Sequence, residues 1–191
     1  MNSPTVVIVP GLRDHVADHW QTLLAQRLAD RARTVPPLAH GRLSLPARVA
    51  ALHRVLADVT GPVILVAHSA GAIITVHWAG RHDRPVAGAL LATPPDLDTP
   101  LPDGYPTLDE LDRNGWLPVP RNPLPFPSIV AASTNDPLAT LDRVTGLARD
   151  WGSRLVPIGP AGHLNPASGY GPWPAAAELI ETLAREPSAP R

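Results

Sequence analysis

The chain has no cysteine and no lysine. Without cysteine there can be no disulfide, no thiolate nucleophile and no cysteine-based metal site, and cysteine usage says nothing of the redox compartment. All 16 basic residues are arginine. That removes Schiff-base chemistry, an anchoring lysine for pyridoxal phosphate and the lysine of a Walker motif together. Charge of either sign is also scarce. Charged residues make up 17% and the net charge is −1, with no long run of one sign. Nucleic acid and anionic membrane surfaces are therefore poor candidates for partners. No apolar stretch reaches the ~18 residues of a membrane span. The opening Met1-Asn-Ser-Pro-Thr5 has no basic region leading into an apolar one, so no secretory leader is expected and the default location is the cytoplasm.

Proline, by contrast, is abundant, at 25 of 191 residues, and 44% of the chain is hydrophobic. This length suits a single domain over 1–191 with a real core. Short β-branched runs alternate with longer helical stripes. Strands are expected at 5–9, 63–67, 86–92, 128–132 and 154–158, with a sixth near 33–35. Helices are expected at 20–32, 46–59, 71–80, 138–151 and 174–185. This alternation implies an α/β fold with a mostly parallel sheet covered on both faces. Residues 93–127 break the pattern. They are dense in proline and have room only for a short helix near 108–113. A loop that long is functional or disordered, and its prolines make it stiff. Residues 186–191 read as a frayed tail.

The most informative stretch is Val63-Ile-Leu-Val-Ala-His-Ser-Ala-Gly71. A buried strand runs into Ser69, small residues flank it, and a helix begins at once. A sharp strand-to-helix turn of this kind holds a serine out where a base can reach it, and its strain demands small neighbours. The usual pattern is G-x-S-x-G, and here Ala67 takes the place of the first glycine. Read by itself, the pentapeptide also fits a plain helix start with Ser69 as its cap.

Serine needs a base, and the base needs an orienting acid. On an open parallel sheet, such groups gather at the carboxyl ends of the strands. Asp136 follows the 128–132 strand and His163 follows the 154–158 strand. The order Ser69, Asp136, His163 is that of the α/β-hydrolase triad. Asp96 and Asp98 compete for the acid, since they follow the 86–92 strand, whereas Asp83 follows a helix and lies at the wrong edge. His15 and His19 are four apart, but no glutamate of an H-E-x-x-H pattern accompanies them, so no metal is expected. His68 lies within the turn and points away from the base position, and His40, His53, His77 and His82 read as surface or packing residues. An oxyanion hole needs two backbone N–H groups. Ala70, just after the serine, and Leu12, in the Pro10-Gly11-Leu12 turn, are the candidates.

Several further segments match a known family in order along nearly the whole chain. They are Val9-Pro-Gly-Leu12, His19-Trp-Gln21, Ala67-His-Ser-Ala-Gly71, Leu124-Pro-Phe-Pro-Ser128, Ser133-Thr-Asn-Asp-Pro137, Trp151-Gly-Ser153, Ala161-Gly-His-Leu-Asn165 and Ser168-Gly169. On these the chain resembles the small serine hydrolases that include the retinoblastoma-binding serine hydrolase and bacterial YdeN-type proteins. Ala67 is the departure. The resemblance implies an α/β-hydrolase fold with no large cap domain, and Ser69, Asp136 and His163 as triad.

The expected activity is hydrolysis of small carboxylic esters through an acyl-enzyme, with no cofactor. An amidase or aminopeptidase-like activity on small amides is the nearest alternative. A binding module that keeps the fold without the chemistry is a more distant one. Without a cap, the pocket must be built from loops. Trp116, Leu117 and Phe126 would give the 93–127 loop an apolar wall, or would simply pin it to the core.

Overall fold

The computed structural model describes residues 3–14 and 16–186. Six strands form one parallel sheet: β1 (Thr5–Val9), β2 (Ala32–Thr34), β3 (Val63–His68), β4 (Gly88–Ala92), β5 (Ser128–Ala132) and β6 (Arg154–Pro157). Their spatial order is β2-β1-β3-β4-β5-β6. The helices are α1 (Trp20–Leu28), α2 (Leu45–Ala57), α3 (Ala70–Ala79), α4 (Leu108–Arg113), α5 (Leu141–Asp150) and α6 (Ala175–Arg185). The fold is that of the α/β-hydrolases, without a large cap.

Alternation along the strands divides the core in two. Val7, Val9, Leu65, Leu91 and Val130 pack with α2, α3 and α5 on one face. Val6, Ile8, Ile64, Leu90 and Ile129 pack with α1 and α6 on the other. The four central strands β1, β3, β4 and β5 are thus covered on both sides, which is why they read as continuous apolar runs.

Differences from the expected boundaries have local causes. The first helix ends at Leu28, because Ala29 takes a positive φ of 49° and the chain turns into β2. β2 pairs with β1 in the register Val6 to Ala32 and Ile8 to Thr34. Helix α5 begins at Leu141 rather than at 138, because the Thr140 side chain accepts the Arg143 N–H and sets the cap there. Leu138 is instead held in the loop by its N–H bond to Asp136 Oδ1, at 2.9 Å. The expected short helix is present as α4, with a reciprocal Thr107–Glu110 capping box. Among the described residues, no helix is long and apolar enough to cross a membrane. Beyond Glu186, the expected frayed tail lies outside the described residues, as does His15.

The strand order matters for function. From β1 the chain goes to β2 on one side and returns to β3 on the other. The carboxyl ends of β1 and β3 therefore meet at a switch point, where α/β folds bind their ligands. The Gly11–Leu12 turn leaves β1 there, and Ser69 leaves β3.

Candidate active site

Ser69 sits between β3 and α3 with φ 56° and ψ −128°. This is a strained conformation for a residue with a side chain. It is held by the Ser69 N–H bond to Ala92 O on β4, at 2.9 Å. Gly71 lets α3 start directly against β1. A Cβ there would stand 2.1 Å from Val9 O, so no other residue fits. Ala67 is fully buried in the same core and its methyl is accommodated.

His163 Nε2 lies 2.8 Å from Ser69 Oγ. His163 Nδ1 lies 3.0 and 2.9 Å from the two oxygens of Asp136. A carboxylate can only accept, so Nδ1 carries the proton and Nε2 is left to accept from the serine hydroxyl. The Asp136 and His163 side chains are only 2% and 5% exposed, whereas Ser69 is partly open to solvent. The loop carrying His163 is tied down at several points. The His163 N–H donates to Ser168 Oγ at 3.0 Å, and the Gly162 N–H donates to Asn135 Oδ1 at 2.7 Å. Gly162 itself has φ 56°, and a Cβ on it would come within 2.5 Å of Ser168 Oγ.

The competing acids are engaged elsewhere. Arg143 grips Asp96 with two bonds, of 2.8 and 3.0 Å, and also pairs with Asp98. Burial works against the charged form of Asp96. The bonds from Arg143, the Asp98 N–H and Thr99 outweigh it and hold the carboxyl below its ordinary value. Both aspartates thus serve to fasten α5 to the loop after β4.

The matching family profile is that of the serine hydrolases, over residues 6–182. The chain belongs to the serine hydrolase family. A YdeN-like hydrolase, so named, from Pectobacterium atrosepticum is similar at 32% identity and a TM-score of 0.78, with 95% of this chain and 92% of that one covered. The ydeN gene product of B. subtilis is similar at 19% identity and a TM-score of 0.73, covering 96% and 100%. A thermophilic esterase from Thermogutta terrifontis shares the fold at 17% identity and a TM-score of 0.63, covering 94% and 90%. No curated protein matches.

In this serine hydrolase a cavity of about 140 Å³ opens at Ser69 and is lined by Leu12, Ala70 and Trp116 among others. Two of the residues expected on its wall are not there. Leu117 packs against the core, and Phe126 is buried at the other end of the sheet, beside Pro62 and Ala87. The reason is topological. The 93–127 loop leaves β4 at its carboxyl end and must reach the amino end of β5, so its last residues lie far from the site. Trp116 is both wall and anchor: its indole N–H donates to Leu43 O at 2.6 Å.

Four polar residues support the site without standing out in the sequence as catalytic. Gln21 Nε2 donates to Val66 O at 2.9 Å and Val9 O at 3.3 Å, joining β3 to β1 beside the switch point. Arg48 pairs with Asp14 at 2.9 Å and donates to Arg42 O at 2.7 Å, bracing the turn that carries Leu12. His68 Nε2 donates to the His163 carbonyl at 2.8 Å. His19 caps α1, its Nδ1 accepting the Gln21 N–H at 3.2 Å. Burial, reinforced by the nearby His163, lowers His19 from 6.5 to about 4. Burial, with His163 and His19 acting in the same sense, pushes His68 well below its ordinary value. Both rings are neutral near pH 7. Among the described residues, no three His, Asp or Glu side chains gather as a metal site. The signal for Gln21 and Arg48 was a polar residue on the buried stripe of an amphipathic helix.

Proposed function

We propose that this protein is a carboxylic-ester hydrolase acting through an acyl-enzyme, as one domain without a cap. The observation that carries the reading is the 2.8 Å contact between Ser69 Oγ and His163 Nε2, on a serine held at positive φ. Ser69 Oγ attacks the ester carbonyl while His163 Nε2 takes its proton. Asp136 holds the imidazole in the required tautomer and stabilises the imidazolium that forms. The N–H groups of Leu12 and Ala70 receive the oxyanion. As the ester C–O bond breaks, His163 gives its proton to the departing alkoxide oxygen, which leaves as the alcohol. Water attacks the acyl-enzyme with His163 as base, releasing the acid and restoring Ser69. Neutral His19 and His68 suit this cycle, because a permanent charge on either would oppose the imidazolium. Esters are preferred over amides because an alkoxide leaving group needs less assistance than an amine. A fluorophosphonate probe should label the folded protein once, at Ser69. Lack of labelling, or labelling that persists in Ser69→Ala, would overturn the assignment and favour a binding role.

A further inference from the structure

The cavity at Ser69 is chemically two-sided. Leu97 and Leu101 of the loop after β4, Leu111 of α4, Trp116 and Leu138 make one wall apolar. Exposed Arg13 and half-buried Asn165 form a polar rim towards solvent. Among the described residues, Asp14 is the one carboxylate on the lining, and it is already committed. It is paired with Arg48 at 2.9 Å and Arg42 at 3.3 Å, and its side chain is 7% exposed.

We propose that the apolar wall is an acyl pocket, and that it selects an uncharged aliphatic acyl group of about six carbon atoms. This rests on the ester-hydrolase reading of the same site. Size sets the scale. The cavity holds about 140 Å³, and a dry apolar cavity of ~150 Å³ accommodates a six-carbon ring. Chemistry excludes the aminoacyl group. An ammonium on the carbon next to the carbonyl would leave water with no free carboxylate to receive it, because the polar side chains nearest Ser69 on the lining, His19, Gln21 and His68, are uncharged and already hydrogen-bonded. The polar rim leaves the alcohol in water, where it departs without desolvation.

The test is a series of p-nitrophenyl esters from acetate through butanoate, hexanoate and octanoate to decanoate, with the 2-aminohexanoate ester as the charged counterpart of hexanoate. The ratio kcat/KM should rise about fourfold per added methylene, the yield of burying each one. It should peak at about hexanoate and fall by decanoate. The aminoacyl ester should be at least ~10-fold slower than hexanoate. Leu101→Trp fills the cavity from a partly exposed loop position, and should move the optimum to butanoate or shorter. An optimum at acetate or decanoate, parity of the aminoacyl ester, or an optimum unmoved by Leu101→Trp overturns the pocket assignment alone. Turnover of no ester at all overturns the hydrolase reading, and the pocket with it.

Discussion

Asp136 presents both carboxylate oxygens to His163, and one of them also accepts the Leu138 N–H. Asparagine at this position keeps the shape and removes the charge. Asp136→Asn should leave the melting temperature nearly unchanged and lower turnover by up to ~10⁴, as loss of the orienting charge does in a triad. Asp96→Asn should do the reverse. It weakens the grip of Arg143 on the loop after β4, so stability falls while turnover on an activated ester holds. Measuring both quantities on both variants decides which aspartate is the acid. A crippled Asp96→Asn beside an active Asp136→Asn would move the acid to the β4 loop. The sequence favours Asp136 by its place after the 128–132 strand but leaves Asp96 and Asp98 in competition, since they too follow a strand. It could not show that Asp96 has its own arginine 47 residues away.

Among the elements, the strand–turn–helix from β3 into α3 leaves the least room for change. Gly71→Ala would drive a methyl into the Val9 carbonyl and against that of Pro10, both backbone groups, with nothing flexible to yield. The expected cost is ~3 kcal/mol, the upper end of the usual range for overpacking, read as lost soluble yield or a lower thermal midpoint. A variant as stable as the parent would mean that α3 can move off β1. The sequence made this element legible through its small residues and its apolar run. The central strands were equally plain, since burial on both faces leaves continuous apolar stretches. β2 was only hinted at, because a three-residue edge strand carries too short a pattern and owes its existence to the ladder with β1. Of the three residues expected on the cavity wall, Trp116 lines it and Leu117 and Phe126 do not. Apolar residues in the 93–127 loop were visible, but which of them face the site depends on where the loop crosses from one edge of the sheet to the other. Trp116 precedes that crossing and Phe126 follows it.

Over the whole molecule, histidines lowered by burial link stability to pH, His19 and His68 at the site and His77 and His82 away from it acting in the same sense. Unfolded, each binds a proton near 6.5, whereas folded His19 resists protonation to about 4 and His68 is also strongly lowered. Below 6.5 the unfolded chain therefore holds more protons than the native one. Their contribution to stability is complete above 6.5 and is lost progressively below it, for His19 as the pH falls towards about 4. The urea midpoint should drop between about pH 7 and about pH 4.5. His19→Asn retains a capping side chain without the titration, and should flatten part of that slope. A midpoint constant over this range would contradict the burial of neutral rings. The same division between fixed and free parts governs how the protein can diverge. Leu111 and Trp116 belong at once to the cavity and to the core, so a mutation there is screened by folding before any substrate is met. Leu101 and Tyr105 line the same cavity from partly exposed loop positions. Change at these positions disturbs the core less, so if the cavity is an acyl pocket, lineages should drift apart in diet at the loop's tip while its base stays still.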